Sequence, residues 1–436
     1  VNGRTPYSTE QRRAEEQHDE SGGRQPRGGG ASDPGAPGAS GAPDAPGAPA
    51  RALTALRDRL RPAGGRKRRP SGLPAAPVWT VRGPGDISLR LAVRTLLVVT
   101  VLSLLTVGLG LLLIGTGKEQ FTPAEVLAIL NGYATPAEWF VVRELRLPRV
   151  LVAVLIGAAL GIAGSVFQSV SRNPLGSPDI IGFTHGSAAG ALTVIVVFQA
   201  GPALVALGAI AGGLATGVAV YLLSWRDGVH GYRLILVGIG AAATFTAVNG
   251  YLLTRAGIDE AARALMWITG SLQGRDWTQF WPLLAACAVL IPLLLTRSRQ
   301  LRLLEMGDDA ARALGGDPER IRVTALLGAV LLTAAATAAA GPVAFVALAA
   351  PQLARRLTRA TGPNLLASAV MGCALITAAD WVAQHALTVT LPVGAVTGML
   401  GGCYLLWLLH TERRAGPTGP GHTRPALLSV SDTTRK

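Results

Sequence analysis

The sequence predicts an all-α, polytopic membrane protein with about ten transmembrane helices and a disordered N-terminal tail. Three observations carry this reading. Of 436 residues 49% are apolar and only 15% charged, a balance more hydrophobic than a soluble domain requires. The apolar residues are clumped into runs such as Leu96 to Ile114 and Leu151 to Val170. Each approaches the roughly 20 residues that a helix needs to cross about 30 Å of hydrocarbon. The cations lie mostly outside those runs, so the formal charge of +14 reads as membrane topology and not as a nucleic-acid footprint.

Residues 1–88 form a tail rich in Gly, Pro, Ala and Arg, with the stretch Gly35 to Pro49 almost wholly Gly, Ala and Pro. Such a segment buries too little apolar surface to offset its chain entropy, so it is expected to be disordered. It lacks the basic-then-apolar layout of a cleavable signal peptide. The basic patch Arg61 to Arg69 is read as a solvated charge run or as a contact with anionic lipid. A transmembrane domain follows over 89–412, then a tail over 413–436.

Ten apolar segments are expected at 91–114, 149–170, 185–199, 202–224, 233–254, 278–295, 323–340, 342–356, 365–385 and 392–410. Several are short or interrupted, notably around Asn173 to Pro178 and at Gly341-Pro342. Transporters tolerate such breaks where protein or a water-filled path covers the backbone. An even number of crossings puts both termini on one side. One set of loops is the richer in arginine, with Arg172, Arg226, Arg233, the run from Arg297 to Arg322, Arg355, Arg356, Arg359, Arg413 and Arg414. The other carries Lys118, Arg143, Arg146, Arg149, Arg255, Arg263 and Arg275. The positive-inside tendency assigns the first set and both termini to the cytoplasm.

Within the segments, glycines recur four residues apart, as in Gly157 and Gly161, Gly208 and Gly212, or Gly394 and Gly398, which lets helix backbones approach closely. Cys287, Cys373 and Cys403 each fall inside an apolar segment and read as buried small hydrophobes without neighbouring metal ligands. Asp380 is an isolated carboxylate at membrane depth and needs a hydrogen-bonding partner or water, with Gln384 and His385 nearby. His185 and His230 read as loop residues. Arg143, Arg146 and Arg149 cluster before a span on the arginine-poor side, either snorkelling to headgroups or meeting a partner. The loop over 296–322 holds a short helical pattern from Glu305 to Leu314, with Ala310, Ala311 and Leu314 on one face and Gly315 at its C-terminal end.

The run from Arg146-Leu-Pro-Arg149 through Gly157 and Gly164 to Gln168, followed by Arg172-Asn-Pro-Leu-Gly-Ser-Pro-Asp179-Ile-Ile-Gly182, resembles a family signature. That family comprises the permeases of type II ABC importers for iron-siderophores, haem and cobalamin. Gly307 to Gly315, Gly341-Pro-Val-Ala-Phe345, Ala379-Asp380, and Leu391-Pro-Val-Gly394 with Thr397 and Gly401 are similar to the same family, in order, across about 90–410. The wording Ser177 to Gly182 looks most like permeases for ferric enterobactin and related catecholate siderophores.

The resemblance implies a permease subunit of the cytoplasmic membrane that pairs with a second permease, identical or different. It further implies two cytoplasmic ATPases and an extracytoplasmic siderophore-binding protein, with no cofactor and no catalytic site in this chain. No Gly-x-x-x-x-Gly-Lys-Ser/Thr sequence occurs, so hydrolysis falls to a separate subunit. By the same resemblance Arg146 and Arg149 dock the binding protein, although the further basic residue usual four positions after the aspartate is Gln384 here. Gly307, Asp308, Ala311, Leu314 and Gly315 form the element that couples to the ATPase. Gly238, Gly240, Asn249, Gly394, Thr397 and Gly398 lie on spans that line the translocation path. The alternatives are a permease for haem or cobalamin, and a proton-coupled secondary transporter. Deleting residues 2 to about 80 is expected to leave uptake largely intact; complete loss with normal membrane insertion would contradict this.

Overall fold

The computed structural model describes residues 78–82, 88–179, 181–225, 231–386 and 390–414, and each of the ten predicted apolar segments falls on a helix within them. In chain order these are α1 (Val93–Gly115), α4 (Leu147–Ser171), α5 (Phe183–Val196), α6 (Pro202–Ser224), α7 (Gly231–Arg255), α9 (Trp277–Thr296), α12 (Pro318–Ala340), α13 (Val346–Thr358), α14 (Leu365–His385) and α15 (Val393–Arg414). Among the described residues, seven helical runs are long and apolar enough to cross a membrane: α1, Pro136–Ser171, α6, Tyr232–Arg255 of α7, α9, α12 and α14. The chain is therefore a multi-pass membrane protein. Helix α5 has 14 residues and α13 has 13, which at 1.5 Å per residue reach only about 20 Å. The segment expected at 342–356 is thus a half-length helix, because Gly341 (φ 77°) and Phe345 (φ 66°) take left-handed backbone and delay its start to Val346.

Short helices join the spans. Helices α2 (Pro123–Leu130) and α3 (Pro136–Trp139) follow the same tetrapeptide, Thr-Pro-Ala-Glu, starting at Thr122 and Thr135. In both, the threonine hydroxyl accepts from the glutamate N–H and the glutamate accepts from the threonine N–H, a reciprocal cap with proline at the first turn. Seven residues of π-helix, Phe140–Arg146, then run into α4. The remaining connectors are α8 (Ile258–Ile268), α10 (Ser298–Glu305) and α11 (Asp308–Ala313).

The tail expected to be disordered to residue 88 needs one correction. Strands β1 (Val78–Arg82) and β2 (Ser88–Ala92) pair antiparallel, Val78 opposite Ala92, and lead directly into α1. The β-favouring Val-Trp-Thr-Val and Leu-Arg-Leu stretches flank Gly83-Pro-Gly, a turn composition. The rest of that tail, 1–77 and 83–87, and residues 415–436 lie outside the described residues.

Helix α4 is the most buried of the seven spans and packs most extensively on α14, then on α12 and α13. Glycine makes that closeness possible. A Cβ at Gly157 would strike the backbone of Gly372 and Cys373, one at Gly161 the Ser368 carbonyl, and one at Gly164 the Ala347 carbonyl. Gly186 and Gly190 of α5 meet Gly212 and Gly208 of α6 in the same way. These recurrent glycines therefore seat neighbouring helices inside one subunit. Cys287 and Cys373 are buried with thiols at the Leu155 and Val154 carbonyls, whereas Cys403 is exposed, contrary to the expectation that all three sit inside.

Candidate functional site

The polar groups concentrate at the two ends of α4, whose 25 residues extend about 37 Å. At its N-terminal end Asp380 of α14 is fully buried and Arg149 is the partner that sequence reasoning missed. Arg149 Nη2 donates to Oδ1 at 2.7 Å and Nε to Oδ2 at 3.2 Å, and Gln384 Nε2 adds a bond of 2.9 Å. His385 instead turns to its own helix, contacting the Trp381 carbonyl and stacking on that indole. The signal that points to Arg149 is energetic, since a carboxylate at this depth requires a cation, and Arg143, Arg146 and Arg149 cluster at a span end on the arginine-poor side.

Arg146 is half-buried as well. Its Nη1 donates to the Ile114 carbonyl at 2.7 Å and Nη2 to the Glu119 carbonyl at 2.8 Å, so the guanidinium caps the C-terminal end of α1. No local pattern in the chain points to these intrachain partners. Arg143, over the Trp139 ring at 5.2 Å, and Lys118 are the exposed cations here. Arg146, Arg149, Arg275, Lys118 and Gln384 line one cavity of about 560 Å³ with Glu119, Glu144 and Asp276.

At the C-terminal end of α4 two carboxylates tie the 298–322 connection to the spans. Glu305, ending α10, accepts from Ser169 of α4 at 2.7 Å and from Arg355 of α13 at 3.4 Å. Asp308, opening α11, is held by both Arg172, just after α4, and Arg322 of α12. Arg322 is only 4% exposed and also donates to Glu319, which accepts from Tyr221 of α6. Burial pushes the Asp308 carboxyl up, but the hydrogen bond and charge of Arg322, with the charges of Arg172 and Arg312, hold it below its ordinary value.

The helical pattern expected from Glu305 to Leu314 is interrupted: Gly307 (φ 110°) separates α10 from α11. Ala311 is fully buried, yet Leu314 is 61% exposed, so the two do not share an inward face. Helix α11 ends as the expected glycine predicts. Gly316 N–H donates to the Ala311 carbonyl at 2.8 Å and Gly315 N–H to the Arg312 carbonyl at 3.0 Å, with Gly315 left-handed at φ 80°. From Met306 to Gly315 the exposed residues are Met306, Asp309, Arg312, Ala313, Leu314 and Gly315.

The six residues expected on a path divide. A methyl group at Gly240 or Gly398 would have nothing within 4 Å, so both glycines face open space. Gly238 packs on Ile181, Gly394 on Thr269, Thr397 is buried and bonded to the Gly394 carbonyl, and Asn249 is buried. His185 lies in the first turn of α5 and not in a loop, while His230 and Arg226 fall outside the described residues.

Of the seven spans α7 is both the least apolar and the least buried within the subunit. Its exposed residues include Gly240, Thr244, Ala247, Gly250 and Thr254, each three or four positions from the next. A face of small and hydroxylated residues is a poor partner for lipid and a good one for another helix or for water.

A family model described as the FecCD transport family matches residues 104–411. The ferric enterobactin transport system permease protein FepG of Escherichia coli (strain K12) is 44% identical over 332 residues, covering 75% of this chain and 98% of that protein. The iron(3+)-hydroxamate import system permease protein FhuG of Bacillus subtilis (strain 168) is 35% identical over 326 residues, covering 72% and 97%. Among solved structures, a metal-chelate type ABC transporter in an inward-facing conformation aligns with a TM-score of 0.65 at 26% identity, over 72% of this chain and 99% of that one. With the family model spanning nearly the whole helical body, this chain belongs to the FecCD transport family.

Proposed function

We propose that this chain is the permease subunit of an ABC importer that carries a ferric siderophore, of catecholate type, across the cytoplasmic membrane. The observation that carries the transport reading is the α7 face, open and hydroxylated on a span that ought otherwise to be the most apolar. Paired with a second permease, that face and the open side of α15 at Gly398 enclose a path without strong binding groups, suited to a large solute whose iron is already enclosed. The substrate class follows the likeness to FepG over nearly its full length. Both termini are cytoplasmic in this reading. The α10–α11 element then meets a separate ATPase through exposed residues that include Met306, Asp309, Arg312, Leu314 and Gly315, while Asp308 and Ala311 hold it to the spans. The far cavity with Arg146 and Arg149 receives acidic side chains of a siderophore-binding protein.

The test is radiolabelled iron uptake by a deletion strain given a panel of siderophores. Loss of ferric catecholate uptake, restored by this chain, is expected; loss confined to cobalamin would overturn the substrate class. Two finer results are expected with the assembled transporter. Arg146→Gln, which removes the charge but keeps a neutral amide donor, should slow capture of the binding protein and flatten its dependence on salt, because rim charges act chiefly on association. Gly315→Val should lower uptake and ATPase co-purification, since a left-handed β-branched residue costs about 1–2 kcal/mol, whereas Gly315→Asn should retain both. A Cβ at Gly315 meets nothing within 4 Å, so the backbone alone is tested.

A further inference from the structure

Four interruptions of regular helix converge on one polar cavity of about 320 Å³. They are the α4–α5 connection, the segment after α8, the break between α12 and α13, and the start of α15. Gly394 N–H donates to the Gly270 carbonyl at 3.0 Å and Ser271 N–H to the Ala340 carbonyl at 2.8 Å, so three of these segments are bonded to one another. The cavity wall carries Asp179, Thr184, His185, Asn249 and Thr269, with Pro342 and Ala344 from the break.

The hydrogen-bond inventory of this wall is unbalanced. Asp179 accepts from the Phe345 N–H at 3.3 Å and is hydrogen-bonded by the Thr184 side chain. Thr269 directs its hydroxyl proton to its own helix, at the Leu265 or Met266 carbonyl, so its oxygen keeps lone pairs free to accept or coordinate. Asn249 is 8% exposed, and its Nδ2 donates to the His185 carbonyl at 3.3 Å. That bond fixes the amide orientation, because the flipped amide would set oxygen against oxygen. Asn249 Oδ1 is then buried without a hydrogen-bond partner, and so is His185 Nδ1. Such groups are costly unless something pairs with them. The wall thus offers one negative charge, several neutral oxygens and an imidazole nitrogen, with no lysine or arginine among the lining residues.

We propose that this cavity binds a hard monovalent cation, Na⁺ or K⁺, held by the Asp179 carboxylate and Asn249 Oδ1 and completed by threonine oxygens and retained water. A single carboxylate balances a single positive charge. Oxygen ligands suit hard cations, and interrupted helices are where transporter backbones accept them. The bound ion joins the α4–α5 connection to α7 and to the α12–α13 break, pinning the interrupted segments beside the open face of α7. The inference rests on the cavity and not on the transported solute.

The test is thermal unfolding of the purified full-length protein, with its partner subunits where they co-purify. NaCl or KCl is titrated against choline chloride at constant ionic strength. A ligand that binds only the folded state raises the melting temperature with its concentration. A saturable rise of several degrees is expected with Na⁺, K⁺ or both, the two titrations identifying the ion. The rise should be lost in Asp179→Asn and in Asn249→Ala, and the second variant decides if the first fails to fold. Equal melting temperatures in all three salts, or a rise undiminished in the variants, would overturn the proposal.

Discussion

Replacing Arg149 with alanine is expected to destabilise the subunit by about 3–5 kcal/mol, the cost of leaving a buried charge without its partner. Asp380 is fully enclosed and Arg149 side-chain exposure is 20%, so solvent does little to replace the lost guanidinium. Gln384 remains, but one amide bond does not neutralise a carboxylate. The check is melting temperature and yield in detergent. Asp380→Asn should cost less than Arg149→Ala, because it leaves a cation that water can reach, and combining Asp380→Asn with Arg149→Gln should recover part of the loss. Arg149→Glu would set two carboxylates together and therefore reports on folding before it reports on docking. Equal stability of Arg149→Ala and the wild type would show that the pair is not formed in the membrane.

Substituting leucine for Gly164 is expected to have the other large effect, because a Cβ there falls within contact distance of the Ala347 carbonyl, a backbone atom that cannot rotate away. Overpacking costs about 1–3 kcal/mol or more where neighbours cannot yield. The neighbour here is the first turn of α13, whose start is already fixed by left-handed Phe345 and by the Asp179 contact. Gly161→Leu, against the Ser368 carbonyl, should act alike. Gly402→Leu, with nothing within 4 Å, should leave the subunit folded. Equal membrane yields of all three would refute the glycine seam. The comparison separates glycines that seat helices from those that merely recur at the same spacing.

The helical body was legible because its determinants are local. Clumped apolar runs and Gly315 after a short helix each act within a few residues, and each appears where the sequence places it. What stayed hidden depends on residues far apart in the chain. Arg149 and Asp380 are 231 positions apart, Arg172 and Asp308 are 136, and no periodicity joins them. Asp308 therefore reads from sequence as part of a contact surface, although its carboxylate turns inward to two arginines. Segment 342–356 reads as a full span since composition registers apolarity but not the left-handed turns at Gly341 and Phe345 that shorten it. The path residues show the same limit. Family spacing places Asn249 and Thr397 on lining spans, yet which side of a helix faces outward is decided by packing, and only Gly240 and Gly398 of the six lack close neighbours.

The central claim is ATP-driven import of a ferric siderophore through this subunit. It is tested most directly in proteoliposomes that hold the chain with its ATPase, given ATP on the cytoplasmic side and a ferric catecholate on its binding protein outside. The account predicts accumulation of radiolabelled iron that requires ATP and the binding protein and is indifferent to an imposed proton gradient. Accumulation driven by the proton gradient without the ATPase would contradict it.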